Sequence, residues 1–136
     1  MRVVLDTNVL VSALITEGRT AKLLQVLLEK NVELLLSKPI LDEFVDVMSR
    51  PRLREYVGSE EIEDFMKLLL SVALIVEVNS KFDVTSDVAD NIVLAVAHDG
   101  KANYIVSGDR HLLDLKNFKG IKIMNPAQML RRPNLT

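Results

Sequence analysis

The chain opens MRVVLDTN, an apolar run that stops on a carboxylate, and no other stretch constrains the fold as tightly. Val3, Val4 and Leu5 show no polar alternation, the pattern of a strand covered by helices on both faces. Such a strand lies in mid-sheet and leaves Asp6 at its carboxyl end. In open α/β sheets ligands bind at that edge, beside the point where the winding direction changes. The rest of the chain is therefore read for partners of Asp6.

At 136 residues the chain is expected to form one domain, 1–136, burying about two-thirds of its unfolded surface in a single core. The absence of cysteine excludes disulfides and thiolate metal sites. Nineteen acidic residues against seventeen basic ones give a net charge of −2, so nucleic-acid binding has to come from local patches or bound cations. No signal-peptide pattern and no apolar run of the ~20 residues that span a bilayer is found, and the expectation is a soluble, cytoplasmic protein with no membrane partner. Internal repeats and low-complexity tracts are absent.

After DTN an apolar segment runs from Val9 to Ile15, and TEGRT makes a turn with Thr20 as helix cap. Ala21, Leu24, Leu27 and Leu28 keep helical spacing, and Val32–Leu36 is a second strand. Pro39 starts a helix whose stripe is Ile40, Leu41, Phe44, Val45 and Met48. RPRLREYVG is a basic connection. Ser59 caps the next helix, with Ile62, Phe65, Met66 and Leu69 facing the core, and Val72–Val78 is a third strand. NSKFDVTS is a loop, and the helix after it, almost wholly apolar over Ile92–Ala97, is buried against the sheet and ends at Gly100. Tyr104–Val106 and Ile121–Met124 are the fourth and fifth strands, and a short helix starts at Pro126. Strands alternating with helices predict an α/β fold, a three-layer α/β/α sandwich around a five-stranded parallel sheet of order 3-2-1-4-5. The switch then lies between strands 1 and 4, which end alike in LDTN and VSGD, so Asp6 and Asp109 face each other across the crevice.

Two more carboxylate sources reach that crevice. On the helix after strand 2, Asp46 lies opposite the apolar stripe, whereas Asp42 and Glu43 flank it on either side, and the wheel does not choose between them. Asp87 and Asp90 sit one turn apart at the start of the buried helix. Taken singly, each has a bland explanation as a cap, a turn former or a solvated flank. Convergence is different: carboxylates ~4 Å apart repel by ~4 kcal/mol per pair at an effective dielectric near 20, so a cluster requires protons or cations. Hard oxygen ligands select Mg²⁺ or Mn²⁺.

With LDTN after the first strand, a Glu on the helix after strand 2, DVADNIVLA opening a buried helix and SGD after strand 4, the chain resembles a PIN domain over essentially its whole length. The resemblance implies a metal-dependent ribonuclease whose acidic positions fall on Asp6, Glu43, Asp90 and Asp109. It thereby selects Glu43 over Asp42. Asn8 and Ser107 match supporting polar positions, and Asp87 matches a position acidic in one subgroup. Asp6, Asp90 and Asp109 are then expected to hold Mg²⁺ or Mn²⁺, with Glu43 as a further ligand or water-orienting base. Small single-domain members of this kind resemble toxin components of toxin–antitoxin pairs, which implies a cognate antitoxin and a homodimer.

Arg50, Arg52 and Arg54 in one connection, and Arg110 with Lys116 after Asp109, are candidate contacts to the RNA backbone. His98 is read as a packed or capping residue, and His111 as a surface residue near Asp109. Two histidines and no ligand-spaced pair argue against catalytic zinc, and no aromatic platform accompanies the arginines. A dinucleotide-binding loop or a P-loop would need glycines that DTNVLVSA does not have. A haloacid-dehalogenase-like phosphatase would carry a second Asp where Asn8 stands. A catalytically silent binding module of the same fold is the non-enzymatic alternative.

Overall fold

The computed structural model describes residues 1–132. Strand β1 (Arg2–Leu5) pairs in parallel with β2 (Glu33–Leu36) on one side and β4 (Tyr104–Val106) on the other. Successive residues Val3, Val4 and Leu5 are all buried, which in a strand requires cover on both faces. That cover comes from helices. α1 (Thr7–Ile15) packs on α2 (Arg19–Glu29) and α3 (Lys38–Met48), while α6 (Val88–Asp99) lies along β1, β2 and β4. Within α6, Val93 to Ala97 are buried without a break, as expected for a helix enclosed by the sheet and its neighbours.

The strand order is β3-β2-β1-β4-β6-β5, with β3 at Leu74–Ile75, β5 at Asn117–Phe118 and β6 at Ile121–Met124. The predicted 3-2-1-4-5 arrangement is present, with β6 as its last strand. Among the described residues the sheet has six strands rather than five, and β5 joins the edge antiparallel through a tight hairpin to β6. Its turn uses Lys119 at φ 50° and Gly120 at φ 85°, two consecutive positive angles that make a primed turn. Nothing in the apolar pattern marks a two-residue strand, so NF read as connection.

The third strand is shorter than predicted. α5 (Ser59–Val72) continues through Val72, and only Leu74 and Ile75 pair with β2. Among smaller differences, Gly18 and Gly58 rather than Thr20 and Ser59 cap α2 and α5. The Thr20 hydroxyl instead hydrogen-bonds that of Ser12, tying α2 to α1. The basic connection contains a helical turn, α4 (Pro51–Arg54), and Val45 is exposed rather than in the α3 stripe. α7 (Arg110–Leu115) and α8 (Pro126–Leu130) are the last two helices among the described residues, and α8 packs on α2. No helix among the described residues is long and apolar enough to cross a membrane.

Candidate functional site

β1, β2, β4 and β6 run parallel, so their carboxyl ends share one edge, and the winding reverses between β1 and β4. Side chains that leave these strands as helix caps collect there. Asp6 caps α1, its Oδ1 accepting the Val9 N–H at 2.9 Å. Asp87 caps α6 by accepting the Ala89 N–H, and Asp109 caps α7 by accepting the His111 N–H at 2.7 Å. The capping that explains each carboxylate locally also sets its direction, because the cap bond turns it toward the helix start at the sheet edge.

Ser107 joins the two strands at the switch. Its buried hydroxyl donates to Asp6 Oδ2 and accepts the Asp109 N–H at 2.9 Å, so one side chain orients residues from β1 and β4 together. Above it lies a small cavity of ≈50 Å³ lined by Asp6, Thr7, Asn8, Glu43, Asp87, Asp90 and Asp109, with Ala89 and Val93. All four acidic residues predicted for the site therefore line one cavity, together with Asn8 and Asp87. Glu43, half-buried, is on the inner side of α3. Asp42 is exposed and paired with Lys38 at 2.8 Å, and Asp46 is exposed near Arg50.

The electrostatics follow from crowding and burial. Asp6 is 5% exposed and its pKa is pushed up to about 6, chiefly by desolvation and further by Asp109 and Glu43; the Ser107 and Val9 hydrogen bonds oppose the rise. Asp90, 6% exposed, is likewise raised to about 6 by desolvation and by the charges of Asp109, Asp87 and Asp6. At Asp90 the charge of His111 opposes the rise without cancelling it. Among the described residues, three buried side-chain polar atoms have no hydrogen-bond partner, and two of them, Thr7 Oγ1 and Asp90 Oδ2, belong to residues lining this cavity. Orphaned buried oxygens among crowded carboxylates are the donor set that a hard divalent cation completes. One grouping of metal-ligating side chains, Asp90, Asp109 and His111, has donor atoms within 4.8 Å of one another.

Thr7 and His111 were not in the predicted set. Thr7 carries no signal in a single sequence, since its burial is a tertiary property. His111 stands two residues after Asp109, and its position beside a cap was the available cue. Arg50, Arg52 and Arg54 do not line the cavity. They follow the far end of α3, whose eleven residues span ~16 Å. All three are exposed; Arg50 pairs with Asp46 at 3.8 Å and Arg54 donates to Ser59. Arg110 is exposed immediately after Asp109. His98 is also exposed, its ring edge-on to Phe82 at 5.4 Å. A larger cavity of ≈330 Å³ between the 78–83 segment and α6 is mostly apolar and takes in none of the clustered carboxylates.

Comparison with known proteins gives three findings. The family model described as PIN domain matches residues 2–111. A protein of Methanocaldococcus jannaschii described as uncharacterized is 37% identical over 128 residues, 92% of this chain and 82% of the relative. VapBC2 from Rickettsia felis, solved bound to a DNA fragment from their promoter, is similar in fold with a TM-score of 0.62 at 17% identity, covering 92% of this chain and 98% of that one.

Proposed function

This chain belongs to the PIN domain family, and from that premise we propose that it is a divalent-cation-dependent ribonuclease, the toxin component of a toxin–antitoxin pair. The observation that carries the reading is the convergence of Asp6, Glu43, Asp90 and Asp109 on one cavity, two of whose lining residues, Thr7 and Asp90, carry an unpartnered buried oxygen.

In this reading Asp6, Asp90 and Asp109 hold Mg²⁺ or Mn²⁺. Bound there, such a cation would neutralise charge at the phosphate and lower the pKa of the attacking water. Glu43, on the α3 wall of the cavity, accepts the proton as the water oxygen bonds to phosphorus and the bond to the leaving oxygen breaks. Ser107 holds Asp6 at fixed orientation through its donated hydrogen bond, and Asn8 and Asp87 line the approach. Arg110 at the mouth contacts the RNA backbone, and Arg50, Arg52 and Arg54 serve a more distant part of the strand. The fold likeness to VapBC2 supports a cognate antitoxin as protein partner. The exposed apolar side chains of Leu68, Leu70, Val72, Leu74 and Ile75 support a homodimer.

Incubation of the purified chain with single-stranded RNA and Mn²⁺ tests the reading. Cleavage is expected with the native chain, and a loss of at least ~100-fold with EDTA or with Asp6→Asn. Cleavage that persists in both controls overturns it.

A further inference from the structure

The metal-ligating side chains around Asp109 are not all oxygen donors, for His111, which lines the neighbouring cavity rather than that of the carboxylates, brings a nitrogen. Asp109 caps α7 by accepting the His111 N–H, and the same turn leaves the imidazole Nδ1 3.6 Å from Asp109 Oδ1. That distance is too long for a hydrogen bond, so the ring is not locked to its neighbour. The His111 side chain is 66% exposed and has room to turn. One donor atom each from Asp90, Asp109 and His111 falls within 4.8 Å of the others. Two ligands of one ion with bonds of ~2.1 Å stand ~3–4.2 Å apart, so this trio reaches a shared cation by side-chain rotation, for which the exposed imidazole has freedom. Asp90, which lines the cavity, is 6% exposed, and its Oδ2 is buried with no hydrogen-bond partner.

We propose that His111 is a nitrogen ligand of the cation held by Asp90 and Asp109, and that the site accordingly takes Mn²⁺, or another first-row transition ion, in preference to Mg²⁺. The inference rests on the reading of the cavity as a divalent-cation site and adds to it the identity of a ligand. Imidazole suits transition ions, whereas Mg²⁺ keeps oxygen ligands and several waters, so replacing one oxygen by nitrogen shifts the balance between them. The same cavity with carboxylates alone would bind both as hard cations.

The test uses the full chain, freed of metal with a chelator and reloaded with Mn²⁺ or Mg²⁺ alone, alongside His111→Ala and Asp90→Asn. Pulsed electron paramagnetic resonance on the Mn²⁺-loaded native chain is expected to show coupling to a directly bound ¹⁴N, absent in His111→Ala. Calorimetric titration is expected to show Mn²⁺ affinity falling by on the order of tenfold or more in His111→Ala, with Mg²⁺ affinity nearly unchanged. Absence of nitrogen coupling in the native chain, or equal losses for the two ions, overturns the assignment of His111. If Asp90→Asn loses the metal while His111→Ala binds like the native chain, only this inference falls. If the native chain binds neither ion, or Asp90→Asn binds both unchanged, the cation-site reading falls with it.

Discussion

At the scale of single residues, one carboxylate does two jobs at once. Asp6 and Asp109 satisfy backbone donors at helix starts and also crowd a common cavity. The bland reading and the functional one therefore do not compete, because capping fixes the orientation that the cluster needs. Asp90 differs in having a buried oxygen with no donor at all. Its folded-state pKa of about 6 lies above the usual 3.8, so between these values the folded chain binds more protons than the unfolded one. The stability that Asp90 contributes is fully present below pH ~4 and is lost as pH rises through about 6. In EDTA, Asp90→Asn is expected to melt at higher temperature than the native chain at pH 7, by an amount worth on the order of 1–3 kcal/mol, with the gap narrowing toward pH 4. Melting curves over that range check it; a native chain that gains on the variant as pH rises contradicts the account.

At the scale of elements, α6 is tightly packed at its end, Gly100. The sequence marks its end by Gly100, which usually signals a left-handed cap. Here Gly100 has no positive φ (its φ is −85°), and the requirement is space. A Cβ at this position would stand 2.7 Å from Leu35 Cδ1, 2.8 Å from Val76 Cγ2 and 3.0 Å from the Val96 carbonyl oxygen. Gly100→Ala is therefore expected to destabilise by about 1–3 kcal/mol through overpacking against β2, seen as a lower denaturant midpoint with little change in slope. A neutral or stabilising result would mean that the α6–β2 contact relaxes freely. The other end of α6 is held by Asn91, whose Oδ1 accepts the Val84 and Thr85 N–H groups while its amide donates to the Thr85 carbonyl. That staple fixes the segment leading into Asp87 and so belongs to the geometry of the cavity.

At the scale of the molecule, the sheet leaves β3 as a two-residue edge with exposed Leu74 and Ile75, and Leu68, Leu70 and Val72 in the preceding α5 are exposed as well. An uncovered apolar edge of this kind is a template for association. The proposed homodimer uses it, and light scattering on the native chain is expected to give twice the chain mass. Ile75→Lys with Leu70→Lys should reduce the mass to that of one chain while leaving the secondary structure intact. A one-chain mass for the native protein removes the dimer from the account.

The alternation of apolar strands with amphipathic helices, the central position of β1 and the winding switch beside β4 were all legible in the sequence. The reason is that burial on two faces imposes unbroken apolar runs such as Val3–Leu5. The order of the acidic residues was legible too, through their resemblance to a family. The wheel alone left Asp42 and Glu43 undecided, since both flank the stripe and only the neighbouring α6 makes one flank an interior wall. The antiparallel β5, the short β3, the burial of Thr7 and the nearness of His111 to Asp90 were decided by tertiary structure. Each depends on contacts between segments far apart in the chain or on turn geometry, and a local pattern of polar and apolar residues carries no record of either.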